Sequence, residues 1–298
     1  MDNSDTKKHS AWLLPDRGKK EIRPGLYLIA TPIGNLADIS LRALDTLAAA
    51  DLIVCEDTRV SGKLLSYYGL KRPLLPYNDH NADRQRGTIL RALESGQIVA
   101  LISDAGTPLV SDPGYKLVRA CREAEIYVTV VPGASAVLSG VQLSGLPAVP
   151  FTFLGFLPSK SAARRTALEG WKAVSSTLVL FEAPQRLTDS LQDILSVLGD
   201  RPAALVREIT KLYEEARLGM VSGLLEEIKA SGAPKGEQVI VIGPPEVVAV
   251  TEEALQALLA ESLKTMTTKE AAAFVAQQTG HSKKQLYEMA LALRHEQE

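Results

Sequence analysis

Three loops rich in small residues follow short apolar runs of the sequence and carry polar groups near their tips. They are Thr31-Pro-Ile-Gly-Asn35, Ser103-Asp-Ala-Gly-Thr-Pro108 and Pro132-Gly-Ala-Ser-Ala136. Loops at the carboxyl ends of parallel strands are where α/β proteins bind ligands, and small side chains let a ligand approach the backbone closely. One such loop is more often only a tight turn. Three of them together favour a ligand site.

Several common cofactor motifs are missing from the sequence. No Gly-x-Gly-x-x-Gly follows the first apolar run, where Pro32 stands instead, and Gly62-Lys63 lacks the preceding glycine of a phosphate-binding loop. Dehydrogenase and nucleotide-hydrolase functions therefore lose their main support. The two cysteines, Cys55 and Cys121, and the four scattered histidines match no metal-ligand spacing, so no metal is expected.

A charged cluster, Cys55-Glu-Asp-Thr-Arg59, directly follows another apolar run. It fits either the capped start of a helix with a solvated ion pair or one wall of an active site. The residues alone leave both interpretations open.

The segment from Arg59 to Arg91 is strongly basic. It contains seven Lys and Arg residues against two Asp residues, with Tyr67, Tyr68 and Tyr77 between them. Cations suit phosphates and aromatic rings stack on bases, so the segment fits a nucleic-acid strand. A solvated helix face is the alternative, since such charge runs are usually only exposed.

The overall composition is that of a globular protein. The chain has 298 residues, a net charge of −2 and 46% hydrophobic residues, so any RNA contact must come from local patches rather than from an overall positive field. Residues 1–24 are polar and are predicted to form a flexible tail. No apolar run approaches the roughly 18 residues of a membrane span, and we expect a cytoplasmic protein with no membrane partner.

Alternating strand and helix patterns predict two α/β domains, at residues 25–146 and 150–245, joined by a proline-containing linker. In the first, strands are predicted at 26–30, 52–55, 98–102 and 127–131, and helices at 40–50, 61–68, 84–94, 115–124 and 134–144. In the second, strands are predicted at 151–154, 177–181, 203–207 and 238–242, and helices at 161–171, 184–198 and 221–230. In the first domain, the alternation indicates a mainly parallel sheet.

The last segment, residues 250–298, is predicted to be a small helical module. Thr267-Thr-Lys-Glu270 fits a capping box, its helix ends at Gly280, and Ser282-Lys-Lys-Gln285 opens another helix. The pair resembles a helix-turn-helix, although a plain helical hairpin fits these residues equally well. From 264 to 294 there are five basic residues against two acidic ones, which favours contact with RNA phosphates.

Taken together, the motifs resemble the tetrapyrrole methylase superfamily, and more closely its branch that acts on ribosomal RNA. The matching stretches lie at 26–38, 55–59, 103–108, 112–115, 155–158, 207–211 and 235–237. The resemblance implies a two-domain tetrapyrrole-methylase-like fold with a C-terminal helical module, binding S-adenosylmethionine in the cleft between its domains, usually as a homodimer. It implies 2′-O-methylation of a cytidine in 16S rRNA of the small ribosomal subunit.

The resemblance also implies which residues contact the cofactor. They are Pro32, Asp104, Ala105, Gly106, Thr107, Val110, Ser135, Ala136, Phe181, Ile209 and Gln238. The chain departs from the family pattern at two places. Ala82 stands where a Glu is common, and Gln185 stands where a His often precedes Arg186. Neither of those side chains is therefore available for chemistry in this chain.

A ribose hydroxyl needs a base to remove its proton, and Asp57 and His80 are the favoured candidates, with Glu182 as a third. Lys211 or Arg59 could stabilise the developing alkoxide. The residues expected to bind RNA are Arg59, Lys63, Arg84, Arg86, Lys283 and Lys284. Rival functions are a precorrin C-methyltransferase, a non-catalytic RNA-binding module and a protein methyltransferase of the diphthamide kind.

Overall fold

A computed structural model describes residues 21–78, 80–232, 234–236, 238–246 and 252–295. Most of the predicted N-terminal tail, residues 1–20, lies outside this range. The chain divides into two compact units, one ending at Pro245 and the other beginning at Glu246, and each is described by itself. Within the described ranges, no helix is long and apolar enough to cross a membrane.

The first half of the larger unit is built on a fully parallel sheet in the order β3-β2-β4-β1-β5. Its strands are β1 (Gly25–Ile29), β2 (Leu52–Cys55), β3 (Leu74–Pro76), β4 (Ile98–Ile102) and β5 (Val128–Val131). The helices are α1 (Leu41–Ala49), α2 (Thr58–Tyr67), α3 (Ala82–Glu94), α4 (Tyr115–Glu123) and α5 (Ala136–Leu143). The prediction of a mainly parallel sheet is confirmed for this half.

Two local features differ from the sequence prediction. Helix α2 begins at Thr58 rather than Ser61, because the Asp57 side chain caps it by accepting the Arg59 backbone N–H at 2.8 Å. Strand β3 was not predicted; it is only three residues long and ends in Pro76 at the edge of the sheet. The predicted cap of α1 is present, since Ser40 Oγ accepts the Ala43 N–H at 3.1 Å.

The second half has a mixed sheet in the order β6-β7-β10-β8-β9, in which only β6 and β7 pair in parallel. Its strands are β6 (Phe151–Phe156), β7 (Thr177–Glu182), β8 (Pro202–Arg207), β9 (Glu215–Met220) and β10 (Gln238–Ile242). Its helices are α6 (Ser161–Glu169), α7 (Leu187–Leu198) and α8 (Val221–Ser231). The edge strand β9 was missed by the sequence prediction.

Helix α5 joins the two halves, because its apolar face packs on the second sheet. Val137 and Val141 lie in one buried cluster with Val179 and Val239. The approach is so close that a Cβ on Gly140 would lie 2.6 Å from Val239 Cγ1, so this position requires glycine. The packing fixes the loop before α5 beside the ends of β7 and β10.

The smaller unit contains α9 (Glu252–Leu263), α10 (Thr268–Thr279) and α11 (Lys283–His295). The predicted capping box is present: Thr267 Oγ1 accepts the Glu270 N–H, and the Glu270 carboxylate accepts the Thr267 N–H at 3.0 Å. Gly280 ends α10 in the left-handed conformation, with φ of 72°. The shared core of the three helices consists of Leu255, Leu259, Ala272, Val275, Leu286 and Ala290.

Candidate active site

A cleft of about 730 Å³, its open mouth included, lies between the two halves of the larger unit. The first half lines it with Ile33, Ala105, Gly106, Thr107, Val110, Ser135, Ala136 and Val137. The second half lines it with Phe181, Glu208, Ile209, Lys211, Gln238 and Val239.

The first-half wall consists of three loops tied together by backbone hydrogen bonds. Thr31 and Gly106 exchange both of their backbone bonds, with N–H to oxygen distances of 2.9 and 3.1 Å. Ser103 Oγ donates to the Gly106 carbonyl at 2.9 Å, and Thr107 Oγ1 donates to the Ala134 carbonyl at 3.1 Å. These bonds hold the loops after β1, β4 and β5 as one rigid surface.

Backbone strain is concentrated in two loops that line the cleft. Five described non-glycine residues have a positive φ, and four of them lie in these loops: Leu109 and Ser111, with φ of 71° and 67°, and Glu208 and Thr210, with φ of 49° and 64°. Such conformations cost about 1–3 kcal/mol each and persist where the surrounding structure needs them, often at ligand sites. One strained loop comes from each half.

The second-half wall offers a buried acceptor. Gln238 is 1% exposed, and its Nε2 donates to the Gly236 carbonyl at 2.9 Å. Its Oε1 is buried and has no hydrogen-bond partner among the residues that the structure describes. A buried acceptor left without a donor costs about 1–3 kcal/mol, so a ligand N–H or O–H is the expected partner.

A charged pair completes this wall. Lys211 Nζ lies 2.9 Å from Glu208 Oε1, and both residues line the cleft. The Lys211 side chain lies against the loop after β1, because a Cβ on Gly34 would be 2.4 Å from Lys211 Cγ. Glycine at 34 therefore lets the strained loop of the second half reach the first half.

A second concavity, called here the groove, adjoins the cleft. It is lined by Thr31, Pro32, Leu36, Val60, Ser61, Lys63, Leu64, Tyr67, Ser103 and Asp104. The loop after β4 serves both spaces, since Ser103 and Asp104 line the groove and the next three residues line the cleft. A molecule in the groove would therefore lie beside one in the cleft.

The pKa values of the carboxylates near the groove are shifted in opposite directions. Hydrogen bonds from Arg59 lower the pKa of Asp57 to about 2, and the two side chains form an ion pair at 2.6 Å. Burial raises the pKa of Asp104, whose Oδ1 accepts the Asp57 backbone N–H at 3.2 Å. Burial, with the nearby charge of Glu56 as the second cause, raises the pKa of Asp112 to about 6.

The predicted cofactor residues are brought together with two exceptions. Pro32 and Asp104 line the groove, whereas the other nine line the cleft. The sequence prediction did not name Ile33, Val137, Glu208, Lys211 or Val239 as cofactor contacts. Glu208 and Lys211 lie within the matched stretch 207–211, which could have pointed to them.

The candidate bases fall in different places. Asp57 lines a shallow polar depression with Glu56, Arg59 and Asp104. His80 is exposed in the turn before α3, where its backbone N–H donates to Asn78 Oδ1 at 3.2 Å, and it lines neither the cleft nor the groove. His80 therefore lies in a surface turn, away from both spaces.

The third candidate base, Glu182, is 1% exposed and already has partners. Its carboxylate accepts the Ala183 N–H at 2.9 Å and the Ser190 hydroxyl, and it pairs with Arg186 at 3.2 Å. These bonds assign it to the internal structure of the second half.

The predicted RNA-binding residues are mostly at the surface. The Arg59 side chain is exposed while paired with Asp57, Lys63 lines the groove, and Arg84 is exposed. Arg86 is half-buried and pairs with Asp83 at 3.0 Å. Within the smaller unit, Lys283 and Lys284 are exposed at the start of α11.

Comparison with known families and solved structures identifies the class. A profile described as Tetrapyrrole (Corrin/Porphyrin) Methylases matches residues 25–228, and one described as RsmI C-terminal HTH domain matches 249–294. A crystal structure of uroporphyrin-III-C-methyltransferase from Thermus thermophilus superposes with a TM-score of 0.53 at 23% identity, covering 78% of this chain and 99% of that one. Diphthine synthase superposes with a TM-score of 0.58 at 14% identity, covering 74% and 89%. Fold and cleft together define a protein of the tetrapyrrole methylase class.

Relatives narrow the class further. A ribosomal RNA small subunit methyltransferase I from Mesorhizobium japonicum is 49% identical, covering 92% of this chain and 94% of that protein. The protein of the same name from Haemophilus influenzae is 44% identical, covering 90% and 96%. The chain belongs to the family of ribosomal RNA small subunit methyltransferase I. The expected superfamily, branch and fold class are confirmed.

Proposed function

We propose that this protein transfers a methyl group from S-adenosylmethionine to the ribose 2′-hydroxyl of a cytidine in the 16S rRNA of the small ribosomal subunit. The main support for the proposal is the position of the loop after β4. Ser103 and Asp104 of this loop line the groove, and the next three residues line the cleft. A methyl donor and its acceptor must be held in line at short range, and orientation supplies much of the rate. Membership of the rRNA methyltransferase family supports this acceptor.

The cleft fits S-adenosylmethionine. The buried Gln238 Oε1 lacks a donor among the described residues, and the adenine amino group is a donor. The small residues of the first-half loops let the nucleoside approach the backbone, while the Glu208–Lys211 pair matches the two charges of the amino-acid part. When bound, the cofactor supplies an electrophilic methyl group on its sulfonium.

Asp104 is the carboxylate best placed to accept the hydroxyl proton. It lies where the groove meets the cleft loop, and its pKa is raised by burial, which makes it a stronger base. The Asp57 N–H fixes one of its oxygens. Asp57 itself is a weaker base, because its pKa is about 2 and its carboxylate is paired with Arg59.

RNA would be held mainly by cations outside the cleft. Lys63 lines the groove, and Arg59 lies one helical turn before it on α2. In the smaller unit, Lys283 and Lys284 would contact phosphates from the start of α11. The homodimer and the cytoplasmic location expected from the sequence stay predictions.

The test uses the full-length protein, S-adenosylmethionine with an isotopically labelled methyl group, and small ribosomal subunits from cells that lack this protein. We expect label in the rRNA, with mass mapping placing it on the ribose of a cytidine. Free rRNA and a porphyrinogen serve as parallel acceptors. Label on a base, or on a ring carbon of the porphyrinogen in preference to rRNA, would refute the proposal.

A further inference from the structure

The groove beside the cleft has one exposed aromatic wall. Of the three tyrosines in the basic segment, Tyr77 is 1% exposed and belongs to the core. Tyr68 is half-buried, and its hydroxyl donates to the Leu36 carbonyl. Tyr67 is 66% exposed and lines the groove, with its ring meeting that of Tyr68 edge-on at 4.9 Å between centroids. Tyr68 therefore fixes the orientation of Tyr67 without covering its outer face.

Besides Tyr67, the groove has four apolar residues, three with hydroxyl side chains, one cation and one carboxylate. Val60 is 41% exposed, and Pro32, Leu36 and Leu64 add apolar surface beside it. Lys63 stands one helical turn before Tyr67, so both lie on the same side of α2. This lining fits a ligand that has a flat, partly apolar ring and a negative charge close to it. A nucleotide has both, in its base and its phosphate.

We propose that the groove binds the base of the acceptor nucleotide from single-stranded RNA, with the Tyr67 ring stacked on the base and Lys63 on an adjoining phosphate. This inference rests on the proposed function and extends it to a binding subsite. The reacting hydroxyl belongs to the same nucleotide and must reach Asp104, which also lines the groove. A base within a duplex is stacked on both faces and paired along one edge, so it would not reach the Tyr67 ring, and the acceptor is expected to be unpaired.

The experiment compares Tyr67→Ala and Tyr67→Phe with Tyr115→Ala, using the full-length protein and unmethylated small subunits. Tyr115 is a matched control, because it is also 66% exposed, on α4, and lines neither the cleft nor the groove. We expect Tyr67→Ala to raise the KM for subunits about tenfold through lost stacking. Tyr67→Phe keeps the ring and should behave as wild type, and Tyr115→Ala should leave the KM unchanged.

Two further readouts separate the possible causes. Calorimetry should give the same Kd for S-adenosylmethionine in all variants, since Tyr67 lies outside the cleft lining. Ultraviolet crosslinking of wild type to subunits, mapped by mass spectrometry, should join a peptide of α2 to the acceptor region of the rRNA. Equal KM values for Tyr67→Ala and Tyr115→Ala, or crosslinks that avoid α2, would overturn the subsite. If wild type itself does not methylate the subunits, the proposed function fails instead.

Discussion

The two α/β halves of the larger unit line one cleft in different ways. The first half presents loops at the carboxyl ends of parallel strands, and their small residues are fixed by backbone bonds such as those between Thr31 and Gly106. The second half has a mostly antiparallel sheet and contributes side chains: the buried amide of Gln238 and the Glu208–Lys211 pair. Only the first half continues into the groove.

This difference suggests that the two halves have separate roles in acceptor and cofactor binding. In the proposed function, the residues nearest the acceptor come from the first half, and the polar side chains that would recognise the methyl donor come from the second. Variants of the groove residues are therefore expected to impair turnover or acceptor binding, and variants of the polar cleft residues of the second half are expected to weaken cofactor binding.

The largest effect is expected from Asp104→Asn. An amide cannot accept the hydroxyl proton, so kcat should fall by about 10²–10⁴-fold, the usual contribution of a general base. The Kd for S-adenosylmethionine should stay the same, because Asp104 lines the groove rather than the cleft. Single-turnover methyl transfer and calorimetry measure the two quantities.

Asp57→Asn is the matched comparison for that variant. Asn also caps helices, so α2 should keep its start, and the loss in kcat should be smaller than for Asp104→Asn. The reverse order of losses would assign the base to Asp57.

The next largest effect is expected in the second half. Gln238→Leu removes the buried acceptor, and the Kd for S-adenosylmethionine should rise about tenfold, as for one lost hydrogen bond to a ligand. At saturating cofactor, kcat should be close to that of wild type. Gln142→Leu, at an exposed position on α5, is the control for a general Gln-to-Leu effect. An unchanged affinity in Gln238→Leu would mean that the amide serves only the fold.

The two halves also differ in how well their structure could be predicted from the sequence. The apolar runs and small-residue loops of the first half predicted four of its five strands and most of its wall of the cleft, because parallel strands bring their carboxyl ends to one edge. Strand β9, Glu-Ala-Arg-Leu-Gly-Met, escaped prediction because it lies at an edge and is mostly exposed, so burial imposes no apolar pattern on it.

Some details of the site depend on contacts between distant residues and had no local signal. The sequence located Asp104 in the loop after β4, but which of the two spaces its side chain lines depends on the bridge between Thr31 and Gly106. Likewise, Lys211 reaches the cleft only through the left-handed residues Glu208 and Thr210. The domain limits and the roles of the site residues expected from the sequence stay predictions.

A smaller effect, on stability, is expected at Asp112 in the strained loop of the first half. Its pKa is raised from 3.8 to about 6, so the folded state binds more protons than the unfolded state between these values. The free energy of unfolding therefore falls as the pH rises from about 4 to about 6. Above about pH 6 the full cost of holding the ionised Asp112 carboxylate in the folded state is present. Asp112→Asn should remove it and raise the free energy of unfolding at pH 7 by about 1–2 kcal/mol, allowing for partial exposure.

The measurement for Asp112→Asn is thermal unfolding at a series of pH values. The gain in Tm over wild type should be near zero at pH 4 and reach a few degrees at pH 7. If the gain in Tm does not depend on pH, ionisation of the Asp112 carboxyl is not what destabilises the wild type.

The smallest effect is expected in the smaller unit, which should contribute to RNA affinity alone. Lys284 is exposed at the start of α11 with Lys283 beside it. Each cation that neutralises a phosphate steepens the salt dependence of binding by about 0.7 to 0.9 in the logarithmic slope, the lower value applying to single strands. Lys284→Gln should therefore reduce the slope for small-subunit rRNA by about 0.7 to 0.9, while kcat at saturating RNA and the Kd for S-adenosylmethionine stay at wild-type values. Lys264→Gln is the control, because that lysine already pairs with Glu261 at 2.5 Å and should change the slope less. Equal slopes for Lys284→Gln and wild type would limit the phosphate contacts to the basic segment of the first half, and a loss of kcat would show that the helical unit also affects the chemical step.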